Sequence, residues 1–308
     1  MGIVRIGHRE VIGRFYQRLE ALSAEGWASR VAMLIETDQE SEEYAWLGMA
    51  PKVREWVGGR MPDKLRETSF SIKNKLFEAS IEVSIDDFRR DKTGQVQIRI
   101  NELANRVAEH WHQLLTSLII ANPLCYDGQN FFDTDHSEGD SGTQLNALAA
   151  AQVAALDCTL ADPTVDEIVK VIAGVITYMM AYKDDKGEPL TWNAKSFLFM
   201  VPARLQAVWR AAISTGLVIA GAASRENVLL KWPGLSLDVV VNPRLTDANV
   251  FYTFIDDREV KPFIMQNEFF EMSEKDDSFD NNRIVFGAKL LRNVGCGFWQ
   301  YATKCTLS

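Results

Sequence analysis

The chain has 308 residues, 47% hydrophobic and 24% charged, with a net charge of -9 and a pI near 5.1. That length supports one large domain or two ordinary ones with a real core. The acidic balance excludes a free-standing nucleic-acid binder that relies on a basic patch, though not a protein that merely encloses DNA. The most apolar stretch, residues 117–124, is too short to span a membrane and contains Pro123. The start, MGIVRIGHRE, lacks an apolar signal core. Four cysteines with no CxxC predict free thiols in a reducing compartment, not a disulfide framework.

In chain order, Val11, Phe15, Leu19 and Leu22 recur at helical spacing and predict an amphipathic helix over 8–23 on an N-terminal arm, residues 1–49. Residues 51–68 mix charges with Gly58, Gly59 and Pro62 and carry little core material. The period then changes to two. Phe77, Ala79, Ile81, Val83 and Ile85 alternate with polar residues, as in a half-buried strand. Residues 50–92 together suggest an extended, charged excursion whose apolar face needs a partner surface.

A long helix is predicted over 94–121. Ile100, Leu103, Ala104, Val107, Trp111, Leu114 and Leu118 hold a 3.6 period, which places Trp111 on the core stripe. At 1.5 Å per residue such a helix is roughly 40 Å long. Residues 138–163 suggest a surface loop or weak helix. A second helix is predicted over 164–182, with Thr164 and Glu167 as a capping box. SFLFMV (196–201) suggests a buried strand, and Pro202 opens another helix. Four later stretches, through KC at 304–305, suggest strands. The fold class is α+β.

Residues 125–137, CYDGQNFFDTDHS, hold one thiol, three aspartates and a histidine. As a calcium loop starting at Asp133 the segment fails, because Glu138 sits where glycine is required and Gln144 where the bidentate glutamate is required. Zinc would have only Cys125 and His136 from this stretch. Asp127-Gly128 signals a turn, and Phe131 and Phe132 anchor the returning segment. His110 and His112, two apart on a helix, do not share a face. No phosphate-binding glycine motif and no nucleophile elbow occurs. These residues predict no catalytic, cofactor or metal site. The competing reading is a metal-dependent hydrolase using Asp127, Asp133, Asp135 and His136.

YAWLGMAPKVREWVGGR (44–60), SFSIKNKLFEASIEVSIDDFRRD (69–91), CYDGQNFFDTDH (125–136) and FGAKLLRNVGCGFWQYA (286–302) resemble the Mu-like phage major head subunit family. The resemblance implies a Hong Kong 97-type major capsid protein fold, with another virion structural protein (decoration or tail) as the competing reading. It implies an N-terminal arm at 1–49, an extended loop at 50–92 lying over a neighbouring subunit, and a peripheral domain at 93–163 with a spine helix at 94–121. An axial domain at 164–255 would gather around fivefold and sixfold axes, and 256–308 would return to the peripheral domain. Loop contacts between subunits would fall to Arg54, Trp56, Arg60, Lys64, Arg66, Phe77 and Ile81. Asn122, Pro123, Asp127, Gly128, Phe131, Phe132 and His136 would form a structural signature loop, with Ser-Glu after His136 where many relatives have a small residue and Asn. The implied partners are the chain itself in pentamers and hexamers, a separate scaffold protein, a portal at one vertex, a decoration protein, and packaged double-stranded DNA held without sequence-specific contacts. No coiled coil precedes the arm, which is the reason to expect a separate scaffold. The implied location is the virion capsid, with assembly in the host bacterial cytoplasm.

Overall fold

The computed structural model describes residues 8–23, 26–44, 70–90, 94–220, 223–277 and 282–308. In chain order the elements begin with α1 (His8–Ser23), α2 (Ala28–Val31), β1 (Ala32–Glu36), β2 (Ser41–Tyr44), β3 (Phe70–Lys73) and β4 (Lys75–Ser84). There follow α3 (Ile85–Arg90), α4 (Gln95–Ala121) and the short strands β5 (His136–Ser137), β6 (Thr143–Gln144) and β7 (Ala147–Leu148). Then come α5 (Val165–Met179), β8 (Ser196–Val201), α6 (Gln206–Ser214), β9 (Leu217–Ala220), β10 (Ala223–Glu226) and α7 (Val228–Lys231). The chain ends with β11 (Ser236–Val241), β12 (Val250–Ile255), β13 (Phe263–Asp277), β14 (Arg283–Cys296) and β15 (Ala302–Thr306). Helices and strands interleave as the α+β reading requires.

The chain divides into two compact units. The first draws on described residues of 1–42, 71–117 and 264–295. Its sheet has the order β1-β13-β14-β4. In β14, Ile284, Phe286, Ala288 and Leu290 are buried, two apart, as one face of a strand must be. They share a core with Ile100, Leu103, Ala104 and Val107 of α4 and with Val11 and Phe15 of α1. The period-3.6 apolar stripe of α4 is therefore satisfied by a period-2 face across from it. The expected arm helix is thus part of this core.

The second half of the expected excursion is also corrected. β4 runs antiparallel to β14, with Ile81 opposite Phe286 and Phe77 opposite Leu290. Phe77, Ala79, Ile81 and Val83 pack on the chain's own cluster. Their apolar face has its partner surface in cis. Arg54, Trp56, Arg60, Lys64 and Arg66 lie outside the described residues.

Trp111 is corrected as well. It is only half-buried, and the Arg292 guanidinium lies over its ring, 4.5 Å from the centroid. The core stripe of α4 continues through Leu115 and Ile119. The helix phase carries Trp111 to the margin, where an amphipathic ring accepts a cation.

The second unit draws on described residues of 43–70, 118–263 and 296–308. Its sheet has the order β11-β8-β12-β15-β7. β8 pairs parallel with β11, while β12 pairs antiparallel with both β8 and β15. Every residue of β12 is buried, as are Phe197 to Val201 of β8. Continuous apolar runs are what a strand covered on both faces needs. Trp209 of α6 is fully buried and packs against Phe199 and Phe251, with ring centroids 5.1 Å and 4.6 Å apart. α5 starts as its capping box predicts: Thr164 Oγ1 accepts from the Glu167 N–H, and the Glu167 carboxylate accepts from the Thr164 N–H at 2.7 Å.

These units do not follow the expected boundaries at 164–255 and 256–308. β13 and β14 lie in the first unit's sheet, but β15 pairs with β12 of the second. The break comes at Gly297. Its N–H donates to Pro262 O at 2.8 Å, and a Cβ there would stand 2.8 Å from Lys261 O. A short 3₁₀ turn at Trp299–Tyr301 then reverses the chain into β15. The last of the four strand-like stretches therefore holds two strands in two sheets.

Candidate functional site

The segment after α4 is built from its first residue. Asn122 ends the helix in the left-handed conformation (φ 47°), and its N–H donates to Leu118 O. Asparagine tolerates that conformation because its short amide can bond locally. Here the amide pairs with the Phe132 backbone in both directions. Nδ2 donates to Phe132 O at 3.0 Å, and Phe132 N–H donates to Oδ1 at 2.7 Å. Pro123 has no N–H and cannot extend the helix. Its carbonyl accepts from Phe131 N–H at 2.9 Å.

The chain reverses at Asp127-Gly128. Cys125 N–H donates to Gln129 O, Gly128 N–H donates to Cys125 O, and Asp127 Oδ1 accepts from Gln129 N–H. Gly128 adopts φ 84°, which a side chain would resist. The returning segment is anchored by Phe131 against Phe263 and Phe132 against Tyr252, at centroid distances of 4.7 Å and 5.2 Å.

His136 is fully buried. Its Nδ1 faces Asp127 Oδ2 at 2.5 Å, and its Nε2 faces Asn146 Oδ1 at 3.2 Å. Its ring stacks on Trp299 at 4.1 Å with planes 8° apart. The Asn146 amide has one orientation. Nδ2 donates to the carbonyls of Phe131, Trp299 and Ala302, and Oδ1 also accepts from Asp133 N–H at 2.9 Å. Each ring nitrogen therefore faces a side-chain oxygen.

This geometry decides the chemistry open to the cluster. A general base needs a nitrogen lone pair directed at a substrate. Both nitrogens of His136 are occupied by side chains, one ring face is covered by Trp299, and no ring atom meets solvent. The Asp133 oxygens accept from Asn130 N–H and Thr134 N–H within the loop, and Asp135 is exposed. Among the described residues, no group of three His, Cys, Asp or Glu side chains is placed to hold a metal ion. The arrangement is a cross-brace tying 122–136 to Asn146 and to the turn before β15.

Cys125 and Cys296 face each other. Burial, followed by the facing Cys296 thiol, pushes the Cys125 thiol well above its ordinary range. Its Sγ lies 3.6 Å from Gly297 O. All four cysteines are free.

A profile of the Mu-like prophage major head subunit gpT family matches residues 10–158 and 234–307, well over half of the chain. The chain belongs to this family. It is 36% identical over 111 residues to the major capsid protein of Escherichia phage Mu, covering 35% of this chain and 36% of that protein. It is 34% identical over 127 residues to the Mu-like prophage FluMu major head subunit of Haemophilus influenzae, covering 41% of each. The aligned parts thus span about two fifths or less of these relatives. The solved mature capsid of bacteriophage PhiM1 shares the fold, with a TM-score of 0.56 and 10% identity, over 92% of this chain and 87% of that one. The fold is that of tailed-phage capsid proteins.

Asn122, Pro123, Asp127, Gly128, Phe131, Phe132 and His136 all come together in this brace. Sequence reading missed Asn146 and Trp299, which complete it. Asn146 sits in NALAA, which has no motif. Trp299 lies within the family-like FGAKLLRNVGCGFWQYA stretch, but only the folded chain brings its ring to His136.

Proposed function

We propose that the chain is the major capsid subunit of a tailed bacteriophage, self-assembling into pentamers and hexamers of an icosahedral shell that encloses double-stranded DNA. The observation that carries this is the family match over both 10–158 and 234–307. The tailed-phage capsid fold supports it. The role in this reading is structural, not enzymatic: of the residues of the hydrolase alternative, Asp127, Asp133 and His136 are engaged in holding the loop and Asp135 is bonded to none of them. The net charge of -9 suits an enclosing wall that does not grip DNA.

In this reading the second unit supplies the axial region and the first the peripheral one. The segment 45–69, with Arg54, Trp56, Arg60, Lys64 and Arg66, reaches a neighbouring subunit. A separate scaffold protein, a portal at one vertex and a decoration protein complete the setting. Assembly takes place in the host cytoplasm and the product is the virion capsid. Sedimentation and electron microscopy of the purified chain, alone and with a co-expressed scaffold, test the proposal. Shells or capsomers are the expected result, and a chain that stays monomeric in both conditions overturns it.

A further inference from the structure

Arg292, in the first unit, is a buried cation with no anion beside it. It lies on the inner face of β14 and is 4% exposed. Its Nε donates to His110, its Nη2 donates to Val107 O, and its guanidinium covers the Trp111 ring. None of these three groups carries a negative charge. Burial lowers the pKa of the guanidinium, with no carboxylate to raise it again. Buried charges are normally paired, because an opposite charge offsets the cost of leaving water.

The neighbouring strand adds a second cation. β4 runs antiparallel to β14, and the register sets Lys75 opposite Arg292. Directly opposite residues share a face, and like charges there repel. Lys75 is exposed and forms no ion pair among the described residues. The acidic residues nearest in the chain are engaged elsewhere. Glu40 pairs with Lys73 at 2.9 Å, and Glu109 of α4 pairs with Arg106 at 3.8 Å. Glu78 alternates to the other face of β4, across from Lys289.

This corner also has open donors. The Nη1 of Arg292 makes no hydrogen bond among the described residues and is not sealed from solvent. A guanidinium N–H bonds strongly to the oxygens of a carboxylate or a phosphate. The net charge of -9 works against capture of a free anion from solution. With 42 acidic and 33 basic residues, each copy carries more carboxylates than it has cations to pair them. A second copy is therefore the source of oxyanion that the charges favour.

We propose that Arg292 and Lys75 form a seat for a carboxylate of a second copy, filled when subunits assemble. This rests on the shell reading above and names one polar contact between its subunits.

Carbodiimide, which joins an amine to a carboxylate in direct contact, tests the seat. Particles are assembled from a mixture of ordinary and isotope-labelled subunits, and linked peptides are read by mass spectrometry. Lys75 should be joined to an Asp or Glu peptide with mixed labelling, and unassembled subunits should give no such link. A Lys75 link with uniform labelling alone places the carboxylate in the same copy and overturns the proposal. So does a Lys75 that acetic anhydride modifies equally in particles and in unassembled subunits. Inorganic phosphate that shields Lys75 of the unassembled subunit as fully as assembly does would make this a site for a free anion, and the second copy would be wrong.

Lys75→Glu gives a reading that needs no particles. It places a carboxylate opposite Arg292 within one chain. The unassembled subunit should then melt about 2–4 °C higher than the wild type, and the yield of particles should fall because the seat is already filled. A melting temperature no higher than that of Lys75→Gln means that position 75 does not reach the guanidinium, and overturns the seat. Failure of the wild-type chain to make particles counts against the shell reading, while a higher melting temperature in Lys75→Glu still establishes the seat.

Discussion

Arg292 Nε donates a hydrogen bond to His110 Nδ1 at 2.9 Å. Arg292 is on the buried face of β14, only 4% exposed, in line with Phe286, Ala288 and Leu290. Its Nη2 donates to Val107 O, and its guanidinium covers the Trp111 ring. Desolvation lowers its pKa to about 9. Burial, then the Arg292 charge, lowers His110 to about 4 from an ordinary 6.5. The neutral ring is the acceptor this guanidinium requires.

That relationship makes the subunit acid-sensitive in a defined window. Between pH 6.5 and about 4 the unfolded chain carries a proton on His110 that the folded chain refuses. This contribution to stability is whole above 6.5 and is lost as the pH falls through 4. Urea midpoints of the unassembled subunit should decline over that range. His110→Gln, which keeps a neutral acceptor, should flatten the decline, and an unchanged slope in that variant would assign it to other groups.

Trp111→Ala should cost about 1–2 kcal/mol, the scale of a partly exposed cation–π contact. Ile100→Ala, deep in the same helix's core, should cost about 2–5 kcal/mol. Thermal melts of the two variants side by side check the order, and a larger loss from Trp111 would place the ring in the core after all.

The brace around His136 should be structural and independent of metal. His136→Ala removes a fully buried ring stacked on Trp299, together with its bonds to Asp127 and Asn146, and should cost about 3–5 kcal/mol, the scale of a large buried ring. Chelator should leave the wild-type melting curve unmoved, and elemental analysis should find no stoichiometric zinc or calcium. A metal lost together with His136 would restore the hydrolase reading.

Cysteine reactivity should follow burial. Cys125, Cys296 and Cys305 are buried, whereas Cys158 is partly exposed. Burial pushes the Cys305 thiol up to about 12, and the thiolate is the reactive form. Under native conditions an alkylating reagent should modify Cys158 first, with the others reacting only after denaturation. Non-reducing mass spectrometry should show no linked pair, and a Cys125–Cys296 bridge is the product that would contradict this.

Replacing 57–68 with a short Gly/Ser turn should leave a cooperatively folding subunit that forms no closed shells. The segment carries Gly58, Gly59, Pro62 and dense charge, so it has little to bury by itself. Closed shells of normal size from this deletion would dismiss the intersubunit role, and outright unfolding would assign the segment to the subunit's own core.

Much of this protein was legible in the sequence because the informative signals are local. The stripe from Ile100 to Val107, the Thr164–Glu167 capping box and the β8 run Phe197–Val201 each carry their own period or cap. The Asp127-Gly128 turn needs only its two residues. Local rules could not say what lies across from each element. Whether β4's apolar face met another subunit or β14 depended on a partner strand some two hundred residues away. The same holds for Trp111, which meets Arg292 of β14 at the margin of the core, and for the last thirteen residues, which Gly297 turns into the second unit's sheet. His136 is the clearest case. Its residue type suggested a ligand, but Asp127, Asn146 and Trp299 occupy both its nitrogens and one ring face, and long-range packing alone brings those three together.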